Sequence, residues 1–226
     1  MIYTYPAALP KDIFAAVQIP AAIRQPYKNF IFGTMAIQHI QRWTVMAQED
    51  ISPSPWFPLT RETVKLPDGQ ILNDYYFAPL GDVVQILALT PKHEVILVKQ
   101  YKHGLGDILL ELPGGMQQEG KDLINSAIAE MEEETGVKTT PEKLIPLGKI
   151  AINPTKLKQV TYGYLLFDAE FNSVQKPDPS EVISLVIEPA PKVLQMVING
   201  EIWTSDSVCW ILKAAMLYPD IFGYRT

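Results

Sequence analysis

One segment near the middle of the chain constrains the fold more than any other: a strand, a glycine turn and an amphipathic helix in immediate succession. The strand is predicted over Ile108–Leu112, the Pro-Gly-Gly turn at 113–115, and the helix over roughly 123–135. Asp122 is a favourable N-cap, and Gly136 is placed to end the helix in a left-handed conformation. Because glycines let a backbone pass close to a ligand, the segment predicts a loop-helix unit that can contact one.

Three carboxylates lie at the C-terminal end of this predicted helix. Glu130, Glu133 and Glu134 have i, i+3, i+4 spacing, which places them on one helical face. The helix macrodipole disfavours negative charge there by about 0.3–1 kcal/mol per residue. Oxygen ligands in this arrangement suit Mg²⁺ or Mn²⁺, whereas a run of charges can equally be a solvated acidic face. The helix alone supports these two interpretations equally.

The stretch Gly115–Val137 resembles the Nudix box, in which a glycine is followed by a spaced glutamate and then an Arg-Glu-hydrophobic-x-Glu-Glu-x-Gly-hydrophobic run. The matching positions are Gly115, Glu130, Met131, Glu133, Glu134, Gly136 and Val137. Two positions depart from the pattern, since Lys121 stands where the family has glutamate and Ala129 where it has arginine. In the family these two residues brace the loop against the helix. Their joint loss indicates a lost ion pair, and the three retained glutamates favour a retained metal site.

The resemblance extends to the ADP-ribose pyrophosphatase subgroup over roughly residues 43–217. The segments VILVKQYKHGLG at 95–106 and LELPGG at 110–115 look like the region that precedes the box in that group. The resemblance implies that the Gly114 carbonyl, Glu130, Glu133 and Glu134 hold Mg²⁺, for which Mn²⁺ could substitute. It also implies an α+β fold, an α/β/α sandwich in which a mixed β-sheet carries the loop-helix unit and C-terminal helices.

The same resemblance assigns catalytic roles to two glutamates. Glu133 belongs to the metal site, and Glu181, in the acidic loop at 177–181, is the candidate general base that deprotonates water. Asp178 is the second candidate for that base. An ordinary polar turn is the competing interpretation, equal in weight for Glu181 and favoured for Asp178.

Substrate contacts are expected on both sides of the box. Lys102 occupies a position that is commonly arginine and contacts phosphate; lysine keeps the charge but loses the bidentate fork. Trp43 and Trp56 are predicted to stack on adenine, and Arg61 to reach the ligand. Packing in the core is an equally good explanation for each tryptophan.

These residues predict a metal-dependent hydrolase of a nucleoside diphosphate-sugar, with ADP-ribose as the first candidate and AMP and ribose 5-phosphate as its products. Another nucleotide sugar or a dinucleotide is an alternative substrate. A Nudix-fold nucleotide-binding or regulatory protein with weak or no turnover is an alternative of another class, motivated by Lys121 and Ala129. The subgroup implies a homodimer.

Composition argues against several other classes. Hydrophobic residues at 47% and charged residues at 19% indicate a globular chain. A net charge of −6 with no basic stripe argues against nucleic-acid binding. The single cysteine, Cys209, excludes an intramolecular disulfide and disfavours a thiolate zinc site. No apolar run reaches membrane-spanning length, and prolines interrupt the N-terminal region, so a cytoplasmic location is expected.

Three regions are predicted along the chain. Residues 1–42 form an N-terminal extension or arm, or a loosely ordered segment before a true start at Met35 or Met46. Residues 43–80 form a strand region with dimerisation and substrate contacts, and residues 81–226 form the Nudix domain. Strand patterns are predicted at 61–66, 71–77, 83–90, 94–100, 145–151, 159–168 and 182–187, and C-terminal helices near 190–198 and 205–217.

Overall fold

The computed structural model describes residues 40–224, so the predicted arm over residues 1–42 lies almost entirely outside the described residues. The strands of this part are β1 (Thr44–Asp50), β2 (Thr60–Lys65), β3 (Ile71–Phe77), β4 (Val83–Leu89), β5 (Glu94–Lys102), β6 (Asp107–Glu111), β7 (Gly114–Met116), β8 (Leu144–Ile150), β9 (Thr161–Leu166) and β10 (Ile183–Pro189). The helices are α1 (Leu123–Thr135), α2 (Ala190–Ile198), α3 (Ser205–Leu217) and α4 (Pro219–Phe222), with a 3-10 turn at Pro141–Lys143.

Strands β1, β2 and β3 form a small antiparallel sheet in that order. The predicted hairpin between β2 and β3 is confirmed, with Lys65 opposite Ile71. Its turn closes through the Leu66 N–H, which donates to the Gln70 carbonyl at 2.8 Å, and Gly69 has a φ of 92°. Glycine takes this left-handed conformation without steric cost, which explains the turn. Every residue of β1 is exposed.

The second sheet has seven strands and is mixed. Its main path runs β10-β5-β4-β9-β8, with β6 paired to β5 and β7 paired to β4. The pairing of β4 with β9 is parallel, and the other pairings are antiparallel. The predicted α+β fold with a mixed sheet is therefore confirmed.

The glycine turn of the central segment differs from its prediction. Residues Gly114–Met116 form a strand that pairs with Val83–Gln85, where the sequence indicated only a loop. Because β7 lies against the first half of β4, the predicted hairpin of β4 and β5 has only two residue pairs. Ala88 lies opposite Ile96, and Leu89 lies opposite Val95. The glycine turn thereby lies within the sheet and against the C-terminal half of α1.

Helix α1 has the predicted bounds and both predicted caps. The Asp122 side chain accepts from the Asn125 N–H at 2.8 Å. Gly136 has a φ of 74°, and its N–H donates to the Glu132 carbonyl. Ala127 and Met131 are fully buried, as the spacing of apolar residues predicts. Short-range capping and one apolar face are sufficient to define this helix.

Two hydrophobic layers cover opposite faces of the seven-stranded sheet. Successive β4 residues alternate between them, as side chains on a strand must. Leu87 belongs to the layer that contains Trp210 of α3. Ile86 belongs to the layer that contains Met131 of α1. The helices thus lie on both faces, which gives the α/β/α arrangement, and no helix within residues 40–224 is long and apolar enough to cross a membrane.

A glycine in the parallel strand β9 makes room for the largest buried side chain. Trp210 is 1% exposed, and a Cβ on Gly163 would lie 2.4 Å from its ring carbons. That separation is far inside van der Waals contact, so any side chain at this position would displace the indole. The contact fixes how closely α3 packs on the sheet.

We expect Gly163→Ala to lower the free energy of unfolding by about 1–3 kcal/mol, the usual cost of overpacking a core. Urea denaturation followed by circular dichroism measures it. Gly104→Ala is the matched control, because no atom lies within 4 Å of a Cβ there. Equal stability of the two variants would contradict the packing argument.

Candidate metal and active site

Two consecutive glycines in β7 allow the loop to lie between β4 and α1. A Cβ on Gly114 would stand 2.1 Å from the Val84 carbonyl oxygen. A Cβ on Gly115 would stand 2.7 Å from Glu130 Oε2. One glycine therefore faces the strand and the next faces the helix carboxylate, and the sheet, loop and helix meet without an intervening side chain.

The carboxylates of Glu130, Glu133 and Glu134, here called the glutamate cluster, meet this loop. Glu134 is 3% exposed, and its Oε2 accepts from the Gly114 N–H at 2.8 Å. Gln118 Nε2 donates to Glu130 Oε1 at 3.0 Å and to Glu133 Oε2 at 3.2 Å. The structure thus brings the three predicted metal-binding glutamates and Gly114 together.

Burial and mutual repulsion raise the pKa of two members of the glutamate cluster, Glu134 and Glu130. Burial raises the pKa of Glu134 to about 8; the Gly114 N–H opposes this shift, and the charges of Glu130 and Glu181 add to it. The pKa of Glu130 is also raised, first by burial, and the charges of Glu133, Glu181 and Asp178 contribute. Opposite charge would relieve both shifts, which is the electrostatic requirement that a cation meets.

The chemistry of the glutamate cluster fits a hard divalent cation, although its side chains are not yet aimed at one centre. Within residues 40–224 no three Asp, Glu, His or Cys side chains form a ready metal-binding group. The hydrogen bonds give the reason, since Glu134 is turned to the Gly114 N–H while Glu130 and Glu133 share the Gln118 amide. Carboxylate oxygens beside a glycine backbone, one of them on the buried Glu134, are nevertheless the donors that Mg²⁺ or Mn²⁺ prefers.

The loop that carries Glu181 is tied to the end of α1. The Lys176 N–H donates to the Glu133 carbonyl at 2.8 Å, and the Ser173 N–H donates to the Gly136 carbonyl at 2.9 Å. Glu181 is exposed, and its charge reaches both Glu130 and Glu134. Asp178 lies in the same turn, where its carbonyl accepts from the Glu181 N–H. Both candidate bases are therefore near the glutamate cluster.

Lys102, the last residue of β5, lies near the glutamate cluster. Its Nζ is 3.5 Å from Glu111 Oε2, and its charge lowers the pKa of Glu134. Burial raises the pKa of Glu111, against the effect of Lys102 and with that of Asp206. These three side chains line a pocket of about 490 Å³ together with Leu105, Trp203 and others. Neither Glu111 nor Asp206 could be identified as a site residue from the sequence.

The predicted adenine contacts lie on the small sheet, and no contact joins them to the glutamate cluster among the described residues. Trp56 is 91% exposed in the connection between β1 and β2, and Arg61 pairs with Glu49 on the exposed part of the same sheet. Trp43 is 46% exposed and meets the Tyr75 ring edge-on, with 5.6 Å between centroids. The exposure of both tryptophans is inconsistent with the alternative of core packing.

Tyr75 and Phe77 were missed by the sequence interpretation. They line a pocket of about 730 Å³ whose other walls include Asp82, Leu157 and Lys158. The pocket adjoins the far end of the loop, because the Asp82 carbonyl accepts from the Gln117 N–H at 2.7 Å. Tyr75 and Phe77 are half-buried on one face of β3, and the available sequence signal was a pair of aromatic residues at i and i+2 of a predicted strand. The volume suits a small ligand.

Comparison with known families agrees with this architecture. The NUDIX domain model matches residues 79–201, more than half of the chain. The model of the nucleoside diphosphate sugar hydrolase N-terminal domain matches residues 43–77, which hold the small sheet. The chain belongs to the Nudix hydrolase family.

Individual relatives are distant. An ADP-ribose pyrophosphatase of Bacillus subtilis (strain 168) is 27% identical over 66% of this chain and 82% of its own length. A methanol dehydrogenase activator of Bacillus methanolicus is 26% identical over 65% of this chain and 78% of its own length. An ADP-sugar pyrophosphatase of Mus musculus is 33% identical over 42% of this chain and 48% of its own length. A solved structure described as an ADP compounds hydrolase shares the fold, with a TM-score of 0.70, 17% identity, and coverage of 81% of this chain and 97% of that one.

The raised pKa of Glu134 makes the stability of the metal-free protein depend on pH. The folded chain holds this proton up to about pH 8, whereas an unfolded glutamate releases it near 4.5. In EDTA the free energy of unfolding should therefore fall as pH rises between these values, by at most about 1.4 kcal/mol per pH unit from this group.

Glu134→Gln should reduce that fall, because glutamine keeps the neutral form at every pH. Urea denaturation at pH 5 and pH 8 in EDTA measures the difference. Glu119→Gln makes the same charge change at an exposed site of the same loop and is the control. The same pH dependence in wild type and Glu134→Gln would contradict the assignment.

Proposed function

We propose that this chain hydrolyses the pyrophosphate bond of a nucleoside diphosphate-sugar, with ADP-ribose as the first substrate and AMP and ribose 5-phosphate as products. The observation that carries the proposal is that Glu130 and Glu134 meet the Gly114-Gly115 backbone, while the Gln118 amide joins Glu133 to Glu130. Relatives named ADP-ribose pyrophosphatase and ADP-sugar pyrophosphatase support the choice of substrate.

Glu130, Glu133, Glu134 and the Gly114 carbonyl would hold Mg²⁺, for which Mn²⁺ could substitute. Such an ion, when bound, neutralises phosphate charge and lowers the pKa of water. A cation is needed because the glutamate cluster and a diphosphate are both negative and repel each other. Lys102 supplies positive charge on one side of the cluster and is proposed to contact a phosphate.

The remaining chemistry needs a base beside the phosphate. In our proposal the Glu181 carboxylate accepts a proton from water while the water oxygen bonds to phosphorus and the bridging P–O bond breaks. The leaving phosphate keeps the electrons of that bond. The tethering of the Glu181 loop to α1 supports this role, since it holds an exposed carboxylate near Glu130 and Glu134.

The two halves of the substrate are proposed to occupy the two pockets that adjoin the loop. The larger pocket offers Tyr75 and Phe77 as aromatic surfaces for a base, with Trp43 beside Tyr75. Trp56 and Arg61 would contact substrate only from a second copy of the chain, since they lie elsewhere on the small sheet.

A homodimer and a cytoplasmic location complete the proposal. Exposed apolar side chains on the small sheet support dimerisation through residues 43–80; they include Val45, Met46, Trp56, Phe57, Ile71 and Tyr76. Residues 81–226 would then form the catalytic domain of each subunit. The cytoplasmic location has only the support of the sequence.

We expect the purified protein with Mg²⁺ to convert ADP-ribose to AMP and ribose 5-phosphate faster than other nucleotide sugars and dinucleotides in a panel. Chromatography of the nucleotide products measures the rates. Glu134→Gln should be at least about 10²-fold slower, because metal assistance contributes several kcal/mol to such reactions. Glu119→Gln should keep the wild-type rate. Ligand binding without turnover on any member of the panel would favour the regulatory alternative, to which the relative named an activator gives some support.

Glu181→Gln should lower kcat by about 10²–10⁴-fold, the usual contribution of a general base. It should leave KM within a few-fold, and Asp178→Asn is the matched change in the same turn. Steady-state kinetics on ADP-ribose tests both variants. If Asp178→Asn is slow and Glu181→Gln is near normal, the base is Asp178 and our assignment is wrong.

A further inference from the structure

One glutamine links two members of the glutamate cluster. Gln118 Nε2 lies 3.0 Å from Glu130 Oε1 and 3.2 Å from Glu133 Oε2. An amide nitrogen carries two protons, so it can donate one to each carboxylate. A single donor group therefore sets the separation of two like charges, and it uses only one oxygen of each.

Gln118 is itself held in place at two points. Its N–H donates to Ser126 Oγ at 3.1 Å, at the start of α1, and its Oε1 accepts from Lys121 Nζ. Lys121 is fixed in turn, because its carbonyl accepts from Gln117 Nε2 at 2.8 Å. The loop residues thus position the amide before any ligand is present.

These partners also determine which way the amide faces. Lysine can only donate a hydrogen bond, and ionised carboxylates can only accept one. The reversed amide would place its NH₂ against the Lys121 ammonium and its oxygen against two carboxylates. The orientation with Nε2 toward Glu130 and Glu133 is therefore the one that the surrounding charges require.

We infer that Gln118 is a positioning residue for the metal site, and that Lys121 acts through it. By holding one oxygen of Glu130 and one of Glu133, Gln118 leaves the other oxygen of each for the cation. Hydrogen bonds to ligating carboxylates commonly contribute 10–100-fold, in rough terms, to metal affinity or activity. This inference rests on the proposed function, since it needs a cation at the glutamate cluster.

For Lys121, a direct effect of its charge and an effect through Gln118 predict opposite changes in cation binding. If its charge acted directly on the glutamate cluster, removing that charge would tighten cation binding. If Lys121 instead acts by holding the Gln118 amide, removing it weakens binding. Since Lys121 is exposed, solvent screens its direct effect, and the structural effect should dominate.

The experiment measures Mn²⁺ binding to the full chain by electron paramagnetic resonance of free Mn²⁺, without substrate. We expect Gln118→Leu to weaken binding by about 10–100-fold. Gln195→Leu is the matched control and should bind within about 2-fold of wild type, because its exposed amide on α2 reaches only the Asn199 side chain, and α2 packs on the opposite face of the sheet from α1. Thermal unfolding in EDTA shows that each variant is folded.

The lysine variants complete the test. Lys121→Met should weaken Mn²⁺ binding, whereas Lys121→Arg should retain it. In the double variant, Lys121→Met should cause no further loss of binding beyond that of Gln118→Leu, because both changes act through one amide. Wild-type or tighter binding by folded Gln118→Leu would overturn the inference and show that the amide only occupies the place of a cation. Absence of Mn²⁺ binding by wild type would instead remove the metal site of the proposed function, and the positioning role with it.

Discussion

The close approach of the Gly114-Gly115 backbone to β4 and α1 is the constraint on which the rest of the site depends. Val84 lies on one side and Glu130 on the other, and neither leaves space for a Cβ. The approach lets β7 join the sheet, which limits the pairing of β4 with β5 to two residue pairs. It also brings the last turn of α1 onto the loop, so the geometry of the site and that of the sheet have one cause.

This arrangement places negative charge where the protein alone cannot stabilise it. Glu134 is almost fully buried and receives one backbone hydrogen bond, and its pKa is raised to about 8. Of the charges that shift this pKa, Lys102 is the one that lowers it, whereas Glu130 and Glu181 raise it. A buried carboxylate normally has a full set of partners. Glu134 lacks part of this set of partners, which is consistent with a fold that loses some stability at this site and binds a positive ligand there.

Local signals explain what the sequence could predict. The bounds of α1 follow from Asp122 and Gly136, whose capping depends on neighbours within four residues. The strand Gly114–Met116 could not be predicted, because glycines have low strand preference and its pairing with β4 is tertiary. Gln118 could not be identified either, since its role arises from two glutamates a dozen or more residues away.

The substrate side of the site was harder to predict for a related reason. An exposed tryptophan has the same sequence signature as a buried one, so Trp43 and Trp56 could be chosen only by analogy. Tyr75 and Phe77 line their pocket because β3 contacts the connection before β9, where the Tyr75 hydroxyl donates to the Thr155 carbonyl. In our proposal the chemistry of bond cleavage depends on the glutamate cluster, which is local to one helix and one loop. Discrimination among nucleotide sugars would depend on the two proposed substrate pockets, which are assembled from distant segments. A chain of this family can therefore keep its reaction while its substrate changes, because few residues of the pockets belong to the loop-helix unit.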